Sequence, residues 1–350
     1  MRYRLLGRSG LRVSELCLGT MTFGEEWGWG ASKQESKRIF DAFVAAGGNF
    51  IDTANRYTDG TSERYVGEFV AAERERFVVA TKYTLYMRKG DPNSAGNHRK
   101  NMMQSLEASL RRLNTPYVDL YWVHAWDFMT PEEEVLRALD DMVRQGKVLY
   151  IGISDTPAWI VSRMNAIADL RGWSAFTALQ IEYSLIQRTV ERELVPMARA
   201  LDLAVAAWAP LGGGALTGKY LNQDPERGRL KEGSVRLSKR NQDIAREVVA
   251  IAKEIGCSPV HVALRWLSSR PGVVIPIVGA RTLEQFRTSL TGLEGEGIGA
   301  EHVKRLDDVS AIEAGFPHEF LASPPIRDIV YAGMRDAIDA HRPAGLPLAE

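Results

Sequence analysis

Four side chains in the first 130 residues could together move a proton to and from a carbonyl oxygen: Asp52, Tyr57, Lys82 and His124. Phe50 and Ile51 read as the end of a buried strand, with Asp52 where it stops and Tyr57 on the loop beyond. A buried carboxylate is costly unless a cation partners it. Lys82 ends the apolar run 77–82 and supplies that cation, and His124 ends the next run, 118–124. Each residue has a plainer role alone: a helix cap, a lysine reaching to solvent, a histidine satisfied in a core. Equivalent positions on successive strands favour a shared site. The ordinary tyrosine pKa is about 10. A neighbouring ammonium is expected to lower it, with Asp52 holding the lysine in place, which makes Tyr57 a general acid and leaves His124 to polarise the same oxygen. The nucleophile must come from elsewhere. The six histidines show no metal-ligand spacing, so hydride from a dinucleotide is the natural source.

The elements that must position these residues repeat. Residues 4–6 and 11–13 flank Gly7-Arg8-Ser9-Gly10 and predict a β-hairpin. A buried strand follows at 16–21. Ser32-Lys33-Gln34-Glu35 reads as a capping box opening a helix that Gly47-Gly48 stop. Further helices are expected near 62–73, 103–113, 130–146, 157–170 and 190–201, between strands at 49–52, 77–82, 118–124, 148–153, 178–183, 203–208 and 273–278. Thr130-Pro131-Glu132 predicts a capped helix start with Pro in its first turn. Continuous apolar strands signal a parallel sheet covered on both faces, and eight βα units predict an α/β fold, a (β/α)₈ TIM barrel with the hairpin as an N-terminal plug. The rival, an open doubly wound sheet, lacks its G-x-G-x-x-G turn after the first strand. Long loops at 84–97 and 212–241, the latter followed by a helix at 241–255, fall at the C-terminal face, where barrels carry function. The division expected is one catalytic barrel over 1–315 and a tail over 316–350 packing on it, with a helix near 327–340.

Composition narrows the function classes. Of 350 residues, 25% are charged, with 44 Lys+Arg against 44 Asp+Glu, so no electrostatic footprint for nucleic acid or an acidic membrane surface is expected. No apolar run approaches membrane-spanning length and Met1-Arg2-Tyr3-Arg4 opens no signal peptide, so the expected location is cytoplasmic. Cys17 and Cys257 read as small buried hydrophobes in a reducing compartment. Gly213–Lys219 begins like a P-loop, but Tyr220 stands where a hydroxyl for Mg²⁺ is required, and Gly152-Ile153-Ser154-Asp155-Thr156 lacks the second glycine of a nucleophile elbow. Trp27, Trp29, Tyr86, Trp126 and Phe128 fall on mouth loops, where lining a substrate pocket and packing against the barrel are equal readings.

The stretch 49–57 with Glu63 and Gly67, the strand ending in His124, Gly146-Lys147-Val148 leading to Gly152-Ile153-Ser154, and Ile275-Pro276 leading to Gly279-Ala280-Arg281 resemble the aldo-keto reductase superfamily. The likeness runs from about residue 4 to 293. It is to the branch with bacterial general-substrate reductases, aryl-alcohol dehydrogenases and potassium-channel β subunits. The resemblance implies NADPH-dependent reduction of small aldehydes or ketones by the tetrad Asp52, Tyr57, Lys82 and His124, with Tyr57 as proton donor. It also implies the NADP(H)-binding set. Gly19, Thr20 and Met21 lie beside the nicotinamide ribose, and Ser154, Asp155 and Gln180 at the carboxamide, with Asp155 replacing a more usual Asn. Trp208 stacks on the ring. Pro210, Leu211, Gly213 and Lys219 lie along the pyrophosphate, where the glycine run is expected to leave backbone N–H groups free. Gly279 belongs to the same set, Arg281 meets the 2′-phosphate, Gln285 the same end, and Ser289 stands in place of an adenine-binding Asn. Two other functions compete: an NADPH-binding regulatory protein resembling a channel β subunit, and a barrel lyase or isomerase acting on a phosphorylated substrate. Homo-oligomerisation is left open.

Overall fold

The computed structural model describes residues 1–221, 230–231, 233–295 and 297–339. Eight parallel strands close a barrel: β3 (Cys17–Gly19), β4 (Phe50–Asp52), β5 (Val78–Tyr83), β6 (Val118–Val123), β7 (Val148–Ser154), β8 (Ala178–Glu182), β9 (Ala204–Trp208) and β10 (Val274–Val278), which pairs back onto β3. The expected TIM barrel is the observed fold. The hairpin of β1 (Tyr3–Leu5) and β2 (Arg12–Ser14) is antiparallel and plugs the N-terminal end. Leu6 and Val13 enter the same interior cluster as Phe50, Ala80 and Leu120, and the Arg8 amide donates to the Asp202 carbonyl just ahead of β9 at 2.8 Å.

Alternation along a strand decides which residues fill the barrel. Cys17, Phe50, Val78, Ala80, Leu120, Trp122, Ala178, Ala204, Ala206, Ile275 and Ile277 point inward. The opposite faces, among them Ile51, Val79, Tyr121, Ile153 and Val205, pack under the helices. Trp122 is fully buried, and Gly152 opposite it has no side chain because a Cβ there would lie 2.4 Å from the indole.

The surrounding helices include α1 (Lys33–Ala45), α2 (Thr61–Val70), α3 (Arg99–Leu113), α4 (Glu132–Arg144), α5 (Ala158–Arg171), α6 (Leu194–Ala200), α7 (Lys239–Glu254), α8 (Pro259–Ser268), α9 (Leu283–Thr291), α10 (Ala300–Val309), α11 (His318–Ala322) and α12 (Pro324–Val330). Several starts differ from expectation for local reasons. Ser32 caps α1 by accepting from the Glu35 amide, but the Glu35 carboxylate does not close a box; it accepts from the Leu283 amide at 2.6 Å, tying the first helix to the last βα loop. Thr130 does not cap α4, because its hydroxyl is held by Asp127, and Pro131 stands at the N-cap itself. The helix after β4 ends at Val70 and continues as a 3₁₀ turn over Ala71–Arg76. α8, opened by the Ser258 cap with Pro259 in its first turn, is a further helix between α7 and β10 with no counterpart among those expected.

The tail departs further. Instead of one helix over 327–340, α12 stops at Val330 before the left-handed residues Ala332 and Gly333. Neither α11 nor α12 buries a residue, and a His318–Glu193 contact at 2.9 Å ties the segment to the barrel. Residues 340–350 of the expected tail, and 222–229 and 232 of the loop at 212–241, lie outside the described residues.

Candidate active site

The interior rows continue past the last apolar layer, and the chemistry stands on them. Asp52 follows Phe50 at the same parity, Lys82 follows Ala80, and His124 follows Trp122. Asp52 pairs with Ala80 and Lys82 with Trp122, so the three ends step around one side of the mouth. Gly19, Ser154, Gln180, Trp208 and Gly279 fall on the same parity of β3, β7, β8, β9 and the end of β10. The backbone is strained here: the non-glycine residues Thr58, Thr84, Asp155 and Ala209 all have positive φ just beyond strand ends or beside Tyr57.

Lys82 is fully buried and spends all three N–H groups, on Asp52 Oδ2 at 2.5 Å, Thr53 O at 2.9 Å and Tyr57 Oη at 3.0 Å. Gln180 Nε2 donates to the other Asp52 oxygen at 3.0 Å. Burial opposes the charge on Lys82, but Asp52 and then Tyr57 outweigh it and hold the ammonium above its ordinary pKa. Because Tyr57 Oη accepts from Lys82, its own hydrogen is turned elsewhere.

The expected acidification of Tyr57 is not found. Burial raises the phenol and outweighs the lowering by Lys82, whose charge Asp52 partly offsets. The phenol therefore stays protonated through the neutral range, which is the state a proton donor needs. The His124 ring meets that of Tyr57 edge-on, centroids 5.9 Å apart. Burial, then the Lys82 charge, push His124 well below the usual imidazole range, so it is neutral, and among the described residues its buried Nδ1 has no partner. A neutral phenol beside a neutral imidazole, backed by a fixed cation, can offer hydrogen bonds to one small oxygen acceptor.

The remaining expected residues divide. Among the described residues Ser154 Oγ is buried without a hydrogen-bond partner, beside Gln180 in register. Gly19 and Gly279 approach so closely that a Cβ on Gly279 would lie 3.2 Å from the Gly19 carbonyl. The Thr20 hydroxyl is buried against the Asp52 carbonyl at 2.9 Å; Met21 is partly exposed. Trp208 ends β9 half-buried, its indole N–H donating to Asp155 at 3.1 Å, and burial raises the Asp155 carboxyl. Gly213 and Gly214 adopt φ of 69° and 94°, a backbone that side chains resist, after Pro210 and Leu211. A Cβ on Gly214 would meet Lys219 Nζ at 2.9 Å. The amides of Gly212 and Gly214 donate to Ala209 and Leu211, so that run offers fewer free N–H groups than its glycines suggest. The Arg281 amide donates to Gln285 Oε1 at 3.1 Å, while among the described residues its guanidinium pairs with nothing. Ser289 is buried with its hydroxyl on the Gln285 carbonyl, turned into its own helix.

Sequence reasoning missed Arg236 and Glu182. They pair at 2.6 Å, and the guanidinium lies 5.8 Å from the Trp208 ring. Glu182 shares the inward parity of Gln180, a signal that was available; Arg236 comes from the long insertion, where no period marks it. The chemistry of a buried serine hydroxyl, a half-exposed indole and a guanidinium without a partner among the described residues fits the donor set a nicotinamide dinucleotide needs.

Comparison with known proteins agrees. The family model described as the Aldo/keto reductase family matches residues 15–311. The chain belongs to the aldo/keto reductase family. It is similar to norsolorinic acid reductase stcV of Emericella nidulans, 38% identical over 91% of this chain and 83% of that protein. It is similar also to an aryl-alcohol dehydrogenase (NADP(+)) of Phanerodontia chrysosporium, 37% identical over 88% of this chain and 86% of that protein. Norsolorinic acid reductase B of Dothistroma septosporum is 38% identical over 92% and 85%. As an aldo/keto reductase the protein is an NADP-type oxidoreductase acting on carbonyl groups. Among the described residues no helix is long and apolar enough to cross a membrane.

Proposed function

We propose that this aldo/keto reductase uses NADPH to reduce aromatic aldehydes or ketones to alcohols, with Tyr57 giving the proton. The observation that carries the reading is the 3.0 Å contact from Lys82 Nζ to Tyr57 Oη at a mouth shared with Asp52 and His124. When bound, the reduced nicotinamide supplies the hydride that reaches the carbonyl carbon. Tyr57 and His124 hold the carbonyl oxygen by hydrogen bonds. As negative charge develops there, Tyr57 passes its proton to that oxygen, and Lys82 stabilises the phenolate left behind. Asp52, oriented by Gln180, keeps Lys82 in place. Alcohol oxidation runs through the same groups in reverse.

Ser154 and Gln180 are assigned to the carboxamide, Trp208 to the ring face, Lys219 to the pyrophosphate and Arg281 to the 2′-phosphate. The name of the aryl-alcohol dehydrogenase supports an aryl substrate, and names that describe reductases and dehydrogenases support turnover rather than a purely regulatory role. Tyr57→Phe is expected to lower reduction of an aryl aldehyde by roughly 10²–10⁴, as for loss of a general acid, while quenching of tryptophan fluorescence by NADPH persists. Undiminished turnover would remove Tyr57 from the role.

A further inference from the structure

One charged group at the mouth has no part in the chemistry just described. Arg56 directly precedes Tyr57, and its guanidinium carbon lies 5.7 Å from the Trp27 ring centroid and 5.0 Å from that of Tyr86. The three residues come from the loops after β4, β3 and β5, adjacent strands of the barrel, on the side where Asp52 and Lys82 stand. The Arg56 side chain is 26% exposed, so it is neither solvated freely nor sealed in. Asp59 pairs with Nη1, and among the described residues its other N–H groups have no partner.

Aromatic rings beside a guanidinium hold its plane and strip water from it, while the N–H edge remains the place where a carboxylate binds. The same rings offer an apolar wall for an aryl group. We propose that Arg56 is a specificity residue that selects aryl carbonyl substrates bearing an anionic oxygen substituent, with the aryl ring against Trp27 and Tyr86 and the anion on the free guanidinium edge. This rests on the carbonyl-reductase reading of Tyr57. Arg56 and Tyr57 are consecutive on the loop after β4, so the proposed anion seat adjoins the proton donor along the chain. The competing role is a rivet joining three loops. A pair as exposed as Arg56–Asp59, with Asp59 53% exposed, adds little to stability, so the pair alone gives no reason for an arginine here.

The test compares 3- and 4-carboxybenzaldehyde with 3- and 4-methylbenzaldehyde in the full-length holoenzyme, as wild type, Arg56→Met, Arg56→Lys and Asp59→Asn. In Arg56→Met, kcat/KM for the better carboxylate is expected to fall about tenfold through KM, the worth of one charge-assisted hydrogen bond, with the methyl partner within about twofold. Arg56→Lys should recover part of the loss, and Asp59→Asn, which removes the competing carboxylate, should raise the preference for the anion. Calorimetric binding of the matching product alcohols, 4-(hydroxymethyl)benzoate and 4-methylbenzyl alcohol, should follow the same order without turnover. Equal losses for anionic and neutral members, or no loss in either, would overturn the proposal and leave Arg56 a rivet. Failure to reduce any aldehyde would sink the reductase reading instead, and the product-alcohol affinities would still decide Arg56.

Discussion

Replacing Lys82 by Met tests whether the centre of the site is a buried ion pair or a loose polar cluster. The ammonium is fully buried and satisfies Asp52, the Thr53 carbonyl and Tyr57. Methionine matches much of its volume, so the packing change is small and the loss is mainly electrostatic. Removing one partner of a buried pair strands the other, at a cost of about 3–5 kcal/mol. Gln180 still donates to Asp52, which places the expected loss toward the lower end. Urea unfolding with an unchanged slope reads the difference from the midpoint. The decisive comparison is the double variant Asp52→Asn/Lys82→Met. It removes both charges and should recover most of the stability while remaining inactive. A single variant that loses under about 1 kcal/mol, or a double variant no better than the single, would refute the ion-pair account, whatever happens to activity.

Arg281→Ala should weaken NADPH by tenfold or more and NADH by less than about threefold, since a charge-assisted contact to the 2′-phosphate is lost in one case only; equal effects in fluorescence titrations would remove Arg281 from that phosphate. Burial holds Tyr57 above its ordinary value, and at Lys82 burial is outweighed by Asp52 and Tyr57 together, so both keep their protons as pH rises. The donor is lost only as pH passes the raised tyrosine value, and reduction should show no basic limb below about pH 10. His124, held well below the imidazole range, should give no acidic limb near pH 6.5; a limb near neutrality that vanishes in His124→Gln would contradict this. Gly152→Ala forces a methyl to within 2.4 Å of the Trp122 ring and should cost about 1–3 kcal/mol in a thermal or urea melt; an unchanged melt would show that the interior yields.

The barrel was legible because strands buried on both faces write continuous apolar runs, and Asp52, Lys82 and His124 because each ends such a run. Gln180, Trp208 and Arg281 were placed by resemblance rather than by chemistry. Interior parity would have found Gln180 and Glu182 unaided. What stayed hidden depended on competition in three dimensions. Glu35 left its own helix cap for a distant amide, and Asp127 took the Thr130 hydroxyl. The direction of the Tyr57 shift is a balance of burial against two opposed neighbours, which spacing cannot weigh. Arg56, between rings from two other loops, and Arg236, over Trp208, meet partners that no local pattern announces.

The tether from Glu35 to Leu283 joins the first α/β unit to the last, beside the seam where β10 meets β3. The hoop is thus buckled on the outside as well as zipped on the inside, at the spot where Arg281 stands. If Arg281 holds the 2′-phosphate as proposed, the dinucleotide would bind beside both ends of the wound chain. Its arrival should tighten the whole hoop, and heat should open the seam last when the nucleotide is in place.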